Sequence, residues 1–183
     1  MAGEDNFIKS TKLEGVFIIN RPTFPDDRGF FHEVFRLNDL EEVIKTPFNI
    51  VQWNHSRSVE NVLRGIHVAP WSKLFYCVYG IVQQVVVDLR LDSSTYGQYI
   101  SNIIGVDNPS AIYLPPNCGN AFLVLSKEAD CCYMVNDYWK PGAEYGVTFD
   151  DPDLKIEWQV KNPLLSSKDQ QNKKLKEIFP KKI

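Results

Sequence analysis

The run Leu63–His67 brings together residue types that acid–base chemistry uses. Its histidine changes charge near neutral pH, and an imidazole is therefore a common general acid or base in enzymes. Arg64 stands three positions before His67 and Lys73 six positions after it, so two cations are close in the chain. A lone histidine is also common as a core or surface residue, and the spacing alone leaves that alternative open.

A carboxylate and a phenol complete the set of candidate groups. Asp150 and Asp151 follow an apolar strand-like run and precede Pro152. A carboxylate at such a place would orient an imidazole and stabilise its charged form, although a simple turn carboxylate explains the pair equally well. Tyr133 lies in another strand-like run. A phenol there would donate a proton if it faced a polar barrel mouth, and would only pack if it faced the core.

Residues that bind metals are sparse in the sequence. The histidines His32, His55 and His67 form no HxH or HxxxH pair, and Ala69 stands where a second histidine would follow His67. None of the four cysteines belongs to a CxxC motif, and two of them are adjacent, which is poor geometry for a disulfide. The pattern predicts reduced, buried thiols and no bound metal.

Strand-like segments carry the candidate residues. Apolar runs rich in β-branched and aromatic residues recur between turn signals, and a break near Gly80 divides the longest of them. Eight or more short strands of this kind predict an all-β fold, either a sandwich or a barrel. The segments begin at Gly15, Phe30, Asn49, Lys73, Tyr99, Ala111, Ala121, Cys131 and Tyr145.

Helical signals are confined to two segments. Asn38 is predicted to cap a short helix over residues 39–45, and a second helix is predicted over the tail, residues 167–179. The segment 127–130 is predicted to be a hairpin turn. No repeat and no low-complexity linker divides the chain, so we expect one domain over residues 1–183, with its core at about residues 12–165.

The composition excludes several classes of protein. The 183 residues are 44% hydrophobic and 23% charged, which is typical of a globular rather than a disordered chain. A net charge of −3 disfavours a general nucleic-acid binder. The sequence shows no signal peptide and no apolar run long enough to span a bilayer, so we expect no membrane partner and a cytoplasmic location.

Taken in order, the candidate residues fall within phrases that resemble one family, the dTDP-4-dehydrorhamnose 3,5-epimerases. The resemblance covers about residues 15–170. It implies a cupin-type jelly-roll barrel, a homodimer, and an isomerase that needs no metal or cofactor. The phrases are FPDDRGFFHEVFR, VQWNHSRSVENVLRGIH, SKLFYCVYGIVQQVVVDLRLDSSTYGQ, IYLPPNCGNAF, YMVNDYWKP and FDDPDLKIEW, followed by LLSSKD.

The resemblance also implies a substrate and a reaction. The substrate class is a nucleoside-diphosphate 4-keto-6-deoxy sugar, such as dTDP-4-keto-6-deoxyglucose, used in carbohydrate and polysaccharide biosynthesis. Its ketone at C4 acidifies the hydrogens at C3 and C5, so a base can form an enolate that is reprotonated on the other face. Matching the motifs makes His67 the base and Asp151 its orienting partner. Lys73 would stabilise the oxyanion, and Tyr133 would be the acid.

The same match implies positions that bind the substrate. Arg64 is expected to hold a phosphate or the enolate oxygen, and Gln52 and Asn54 are expected to hydrogen-bond the sugar or the phosphate. Contacts to the nucleotide, made by the chain itself or by its partner subunit, are expected from Arg28, Phe31 and Glu33.

Three features depart from the family pattern. Asn120 stands where the family phrase P-x-G-x-x-H-G-F has a histidine, and an asparagine still hydrogen-bonds but cannot titrate. Trp139 replaces a common tyrosine, which keeps an aromatic ring for stacking but removes the hydroxyl. The loop after His67 is short and places Trp71 near the base. We expect Asn120 and Trp139 to contact the substrate.

These departures leave the substrate and the number of inverted carbons open. The presence of Tyr133 favours inversion at both C3 and C5. The alternative is an epimerase that acts at one carbon, C3 or C5, of an unusual sugar such as a GDP-linked 4-keto heptose. A non-catalytic cupin that binds sugar nucleotides and a metal-dependent cupin oxygenase are the alternatives from other functional classes.

Overall fold

The computed structural model describes residues 7–180, and its regular structure consists mainly of short antiparallel strands. Two short α-helices are α1 (Leu37–Ile44) and α2 (Leu175–Ile178), and a 3-10 turn spans Asp169–Gln171. The strands are β1 (Ile8–Ser10), β2 (Phe17–Ile19), β3 (Thr23–Asp26), β4 (Gly29–His32), β5 (Gln52–Val59), β6 (Leu63–Val68), β7 (Lys73–Tyr79), β8 (Ile81–Asp88), β9 (Tyr99–Gly105), β10 (Ala111–Leu114), β11 (Cys118–Val124), β12 (Glu128–Val135) and β13 (Tyr145–Gly146).

Two sheets face each other across a shared core. One sheet has the order β1-β2-β10-β7-β12-β5 and the other has the order β13-β6-β11-β8-β9. Consecutive strands repeatedly change sheets, as β7 and β8 do, which is the connectivity of a jelly-roll barrel. The structure therefore confirms the predicted all-β, cupin-type jelly roll. Strands β3 and β4 form a separate two-stranded hairpin.

Strand β8 shows why this sequence forms a barrel with an outer cover. Val82 and Val86 face the core between the sheets, where they pack with Phe75 and Phe122. The valines at the alternate positions of β8 face outward, and the C-terminal segment covers and buries them. An almost continuous apolar strand is stable only when both faces are covered, and full burial of each such side chain contributes roughly 1.5–3 kcal/mol.

The change of sheet between β7 and β8 depends on Gly80. Its φ of +79° lies in the left-handed region, where a side chain is strained. A Cβ at this position would also meet the backbone of Glu128 and Ala129. The break predicted near Gly80 is therefore confirmed, with a tight crossover between two sheets in place of one continuous strand.

The structure contradicts the prediction of a hairpin turn at residues 127–130. Strand β11 ends at Val124 and pairs with β6 and β8, whereas β12 begins at Glu128 and pairs with β5 and β7. The two strands therefore belong to different sheets. Turn residues between two apolar runs indicate a change of direction, but they do not determine which strands then pair.

The helices also differ from their predicted limits. Helix α1 lies where it was expected, but Arg36 rather than Asn38 is its N-cap, without a side-chain hydrogen bond. The tail contains only the 3-10 turn and the single turn of α2. A parallel β-bridge between Val147 and Lys173 holds the tail in an extended conformation between the 3-10 turn and α2. This pairing with the barrel overrides the local helical signal.

The cysteines and the helices bear on two further predictions. Cys77, Cys118, Cys131 and Cys132 are buried free thiols, as predicted. Neither of the two helices within residues 7–180 has the length and apolar character needed to cross a membrane.

Candidate active site

His67 lies on β6 and is held by a carboxylate from the C-terminal tail. Its neighbours Ile66 and Val68 both pack with the outward-facing valines of β8. Because side chains alternate along a strand, the imidazole lies on the inward face. His67 Nε2 lies 2.6 Å from Asp169 Oδ1, and the Asp169 side chain is only 3% exposed. The predicted pairing of His67 with Asp151 is therefore wrong, because Asp169 takes that place.

The surroundings of Asp169 keep its carboxylate ionised. Burial alone would raise the pKa of this carboxyl, but hydrogen bonding and charge from His67 outweigh it. Further hydrogen bonds involve Ser166 and the backbone of Gly65, and the net effect lowers the pKa below its usual value of 3.8. An ionised carboxylate in this position fixes the orientation of the imidazole and stabilises its protonated form.

Asp151 has a structural position instead. Its side chain is 2% exposed, and Oδ1 accepts hydrogen bonds from the backbone N–H groups of Asp153 and Leu154. Oδ2 accepts a third from Leu175 N at 2.7 Å, which ties the start of α2 to the barrel. The residue adjoins a surface depression of about 530 Å³ lined by the 149–161 segment. Asp151 therefore holds the tail that carries Asp169.

Lys73 and Tyr133 meet on the opposite sheet. They come from adjacent strands, β7 and β12, and Lys73 Nζ lies 5.2 Å from the centroid of the Tyr133 ring. Lys73 is 5% exposed, and this burial lowers the pKa of its ammonium group, while the charge of Glu144 acts in the other direction. Burial also raises the pKa of the Tyr133 phenol, so the phenol carries its proton at neutral pH.

Glu144 is a site residue that the sequence analysis missed. Its Oε1 lies 4.0 Å from Lys73 Nζ, and its charge further raises the pKa of Tyr133, whereas Arg64 lowers it. A buried ammonium requires a compensating charge nearby, and Glu144 provides it. In the sequence it is one acidic residue in a short loop between two strands, and no local pattern distinguishes it.

The predicted polar contacts line the inner face of β5 and its neighbours. Gln52 Nε2 donates to Asn54 Oδ1 at 2.8 Å, and Trp139 N donates to Gln52 Oε1 at 3.0 Å. Asn54 is opposite Tyr133 in the strand register. Arg64 reaches across to β5, where its Nε donates to Ser58 Oγ at 2.9 Å. These side chains form a polar wall beside the phenol.

Asn120 and Trp71 occupy different environments. Asn120 on β11 is directly opposite His67 in the register and is buried. Trp71 is also buried and packs with Ala69 and Val135, so it supports the loop after His67. Trp139, by contrast, is half exposed. Trp139 is therefore exposed enough to meet a ligand, Asn120 lies beside the candidate base, and Trp71 is a packing residue.

The hairpin residues lie apart from this cluster within one chain. Arg28 is 89% exposed and pairs with Asp26, and Phe31 is 68% exposed. Glu33 forms ion pairs with Arg21 and Arg36. The ion pairs and ring contacts given for these three residues within residues 7–180 do not reach His67, Lys73 or Tyr133. A single chain therefore does not bring the predicted nucleotide contacts to the candidate base and acid.

Metal-binding side chains do not converge either. No group of three or more His, Cys, Asp or Glu residues within positions 7–180 could hold a metal ion. His55 instead contacts Asp130, which forms a bidentate pair with Arg57 on the outer face of β5 and β12.

Comparison with known proteins identifies the family of this chain. The model of the dTDP-4-dehydrorhamnose 3,5-epimerase family matches residues 10–177 of the chain. The chain belongs to this family. The enzyme class that follows is an isomerase, as the sequence predicted. Among dTDP-4-dehydrorhamnose 3,5-epimerases, the protein of Shigella flexneri is 39% identical over 168 residues, which are 90% of this chain and 92% of the relative.

Other members of the 3,5-epimerase family show the range of related activities. A dTDP-4-dehydrorhamnose 3-epimerase of Streptomyces niveus is 39% identical over 162 residues, which are 86% of this chain and 78% of that protein. The crystal structure of a dTDP-6-deoxy-D-glucose-3,5-epimerase from Legionella pneumophila, in complex with dTDP-4-keto-L-rhamnose, superposes with a TM-score of 0.88. Its sequence is 36% identical, with 94% of each chain covered.

Replacing Asp169 with asparagine tests the carboxylate of this epimerase-family site. Asp169→Asn keeps an oxygen near His67 but removes the charge that stabilises the imidazolium, so kcat should fall on the order of 10²- to 10⁴-fold. Steady-state kinetics measure this effect by comparison with Asp150→Asn. Asp150 is an exposed control whose carboxylate accepts a hydrogen bond from Thr148. A kcat within threefold of the original would contradict the assignment.

The lowered pKa of Asp169 gives the same variant a signature in stability. A depressed folded-state pKa means that the ionised carboxylate stabilises the fold above its usual value of 3.8, and that this contribution is lost as the pH falls through the lower folded-state pKa. Urea unfolding should therefore show a difference between the original protein and Asp169→Asn at pH 7 that shrinks towards pH 3. A difference that grew on acidification would contradict the lowered pKa.

Replacing Asp151 should affect stability more than chemistry. Asp151→Ala leaves three backbone N–H groups without their acceptor, and leaving buried donors unpaired costs about 1–3 kcal/mol each before relaxation. The free energy of unfolding should fall by about 2–4 kcal/mol, while the folded fraction keeps a kcat within a few-fold of the original. A stable Asp151→Ala protein without activity would return Asp151 to the catalytic group.

Proposed function

We propose that this protein is a cofactor-free epimerase of a nucleoside-diphosphate 4-keto-6-deoxy sugar, inverting C3 and C5 through an enolate. The observation that carries the proposal is the His67–Asp169 pair on one sheet, with Lys73 and Tyr133 together on the other. A base, a cation for the oxyanion and an acid are the three groups that such a reaction needs. The names of the relatives support the same reaction class.

Proton removal is the first step. His67 takes the proton from C3 or C5, and the electron pair of the broken C–H bond moves into an enolate whose charge develops on the oxygen at C4. Asp169 stabilises the imidazolium that forms. The Lys73 ammonium stabilises the oxyanion, and it does so most strongly as the charge develops in a site with little water.

Proton return is the second step. Tyr133 gives its phenolic proton to the same carbon from the opposite face, and the enolate electron pair forms the new C–H bond. The raised pKa of Tyr133 keeps this proton in place until the carbanion needs it. Lys73, beside the ring, stabilises the phenolate that remains. The electrons balance within the sugar, so the reaction requires no redox partner.

Substrate binding is assigned to the polar wall. Arg64 offers a guanidinium fork that suits a phosphate, and Gln52 and Asn54 offer amides to the sugar or the phosphate. The half-exposed ring of Trp139 is placed to stack on a planar group. We assign the nucleotide as dTDP, since relatives at 39% identity are named for dTDP-linked sugars.

An epimerase acting only at C3 is the second candidate. Asn120 in place of the family histidine and the 3-epimerase of Streptomyces niveus among the relatives favour it. The GDP-linked 4-keto heptose and the cytoplasmic location stay predictions. A non-catalytic binding protein is disfavoured, because such a protein would have no use for a His67–Asp169 pair opposite a tyrosine.

Deuterium exchange tests the reaction directly. The protein is incubated with dTDP- and GDP-linked 4-keto-6-deoxy sugars, and with a GDP-linked 4-keto heptose, in deuterated water, and the C3 and C5 protons are followed by NMR. We expect exchange at both carbons with the dTDP sugar. Exchange only at C3 would establish the second candidate, and binding without exchange of any sugar would refute the proposed enzyme.

Two variants assign the groups in the same exchange assay. His67→Ala should abolish deuterium uptake while dTDP binding stays within about threefold, since the base touches the sugar and not the nucleotide. Tyr133→Phe removes only the acid, so deuterium exchange through the base should persist at both carbons while inversion falls on the order of 10²-fold. Normal exchange in His67→Ala would exclude it as the base, and loss of exchange together with inversion in Tyr133→Phe would make Tyr133 a binding residue.

We also propose that the protein is a homodimer in which the β3–β4 hairpin completes the partner's site. The hairpin exposes Phe24, Phe30 and Phe31 together with Arg28. Large exposed apolar groups of this kind usually mark an interface, which supports the proposal. Strand β5 is an unpaired sheet edge, and next to it an apolar cavity of about 280 Å³ is available to the partner. Its lining includes Val34, Phe35, Trp53, Tyr76 and Val78.

Mixing two inactive variants tests the shared site. In a hybrid dimer of His67→Ala and Arg28→Ala subunits, one of the two sites has both residues intact if Arg28 acts across the interface. Dissociating and reassociating an equal mixture should therefore restore about a quarter of the original activity, since half of the dimers are hybrids with one active site. Light scattering should give twice the chain mass. A monomer, or a mixture no more active than its parts, would overturn this proposal.

A further inference from the structure

The amide of Asn120 is held by a second amide that the proposed reaction does not use. Asn120 lies on β11 between His67 of β6 and Val86 of β8 in the strand register. Gln84, on β8, is completely buried, and its Nε2 donates a hydrogen bond to Asn120 Oδ1 at 2.9 Å. The Asn120 side chain, next to the candidate base, is therefore held in place by a hydrogen bond from a neighbouring strand.

The hydrogen bonds determine which end of each amide faces which way. Gln84 Nε2 also lies 3.3 Å from the backbone oxygen of Val85, and that oxygen can only accept. Gln84 therefore presents its N–H groups to Val85 and Asn120. Asn120 must then use Oδ1 as the acceptor, which leaves Nδ2 as the free end. The hydrogen bonds given for residues 7–180 include no acceptor for Nδ2, so its hydrogens remain available beside His67.

The remaining atom of Gln84 shows what the residue contributes. Its Oε1 is buried and has no hydrogen-bond partner within the described residues. An unpaired buried carbonyl destabilises a fold, and an apolar side chain of the same volume would avoid that cost. The favourable contribution of a glutamine at this position is therefore its N–H donor, and the main side-chain recipient of that donor is Asn120.

We propose that Gln84 is a positioning residue that locks the Asn120 amide with Nδ2 towards the sugar, so that the site selects a sugar with a hydroxyl or carbonyl oxygen beside the carbon that His67 deprotonates. The inference rests on the proposed function, because the sugar is the ligand concerned. In this proposal, the hydrogen-bonded amides of Gln84 and Asn120 take the place of the single histidine ring of the family phrase. Because neither amide titrates, the donor is present at every pH at which the protein folds.

A double-mutant cycle tests whether Gln84 acts through Asn120. Gln84→Met has a similar volume but no amide, so the Asn120 side chain becomes free to flip. The readout is the ratio of the Kd for dTDP-glucose to the Kd for dTDP, measured by calorimetry. We expect Gln84→Met to raise this ratio about fivefold, and to raise it no further in an Asn120→Ala background. For a substrate that the enzyme converts, Gln84→Met should raise KM by a larger factor than it lowers kcat.

Gln83 provides a matched control on the same strand. It is equally buried but faces the other side of the sheet, where it donates to Ser101 Oγ and to Glu157 O and accepts from Gln159 N. Gln83→Met therefore loses more hydrogen bonds than Gln84→Met and should lower the melting temperature at least as much. The sugar-to-nucleotide affinity ratio should stay within twofold of the original protein.

The outcomes separate this inference from the proposed function. An unchanged ratio in Gln84→Met, or the same rise with and without Asn120, would overturn the positioning role. If Gln84→Met does not fold, Asn120→Asp provides the answer, because it keeps the bond from Gln84 and replaces the donor with an oxygen. Asn120→Asp should raise the ratio about tenfold or more, and an unchanged ratio would overturn the proposal. Calorimetry needs no turnover, so a protein that binds dTDP-glucose but never exchanges deuterium refutes only the epimerase.

Discussion

The hydrogen bond between His67 and Asp169 joins two parts of the chain that are 102 residues apart. The barrel supplies the imidazole, and the C-terminal segment supplies the carboxylate. That segment reaches its place because it covers the outer face of the five-stranded sheet, where Leu154 and Leu175 pack on the outward valines of β8. Hydrophobic burial on the outside of the barrel thus brings the carboxylate to the candidate base and makes their electrostatic pairing possible.

The opposite sheet solves a different electrostatic problem. A lysine buried to 5% exposure is costly unless another charge compensates it. Glu144 provides that charge at 4.0 Å from Lys73 Nζ, and its charge also acts on the Tyr133 phenol. Burial lowers the pKa of the Lys73 amine and raises that of the Tyr133 phenol, while the charge of Glu144 opposes the first shift and adds to the second. Burial brings about both shifts, and no dedicated hydrogen bond is needed.

Sequence reasoning found the fold, the roles of the predicted site residues stay predictions, and the errors have physical causes. Alternating apolar runs predict strands well, because each strand buries one face. The partner of His67 could not be predicted, since Asp151 and Asp169 both follow turn-forming residues and only the path of the tail distinguishes them. Asp169 was visible at the end of the phrase LLSSKD, but a lysine-rich tail looked like a solvated helix. Sheet membership failed at residues 127–130 for the same reason, because local signals do not encode strand order.

The β3–β4 hairpin shares no hydrogen-bonded ladder with either sheet of the barrel. A substitution in it therefore cannot shift the register of any barrel strand, whereas a slip of one residue within the barrel would turn every side chain of a strand to the other face. The residues that we propose to contact the nucleotide and those that we propose to move the proton thus belong to units that can evolve separately. A lineage that comes under selection for a different sugar nucleotide has a route to it that leaves the acid–base machinery unchanged.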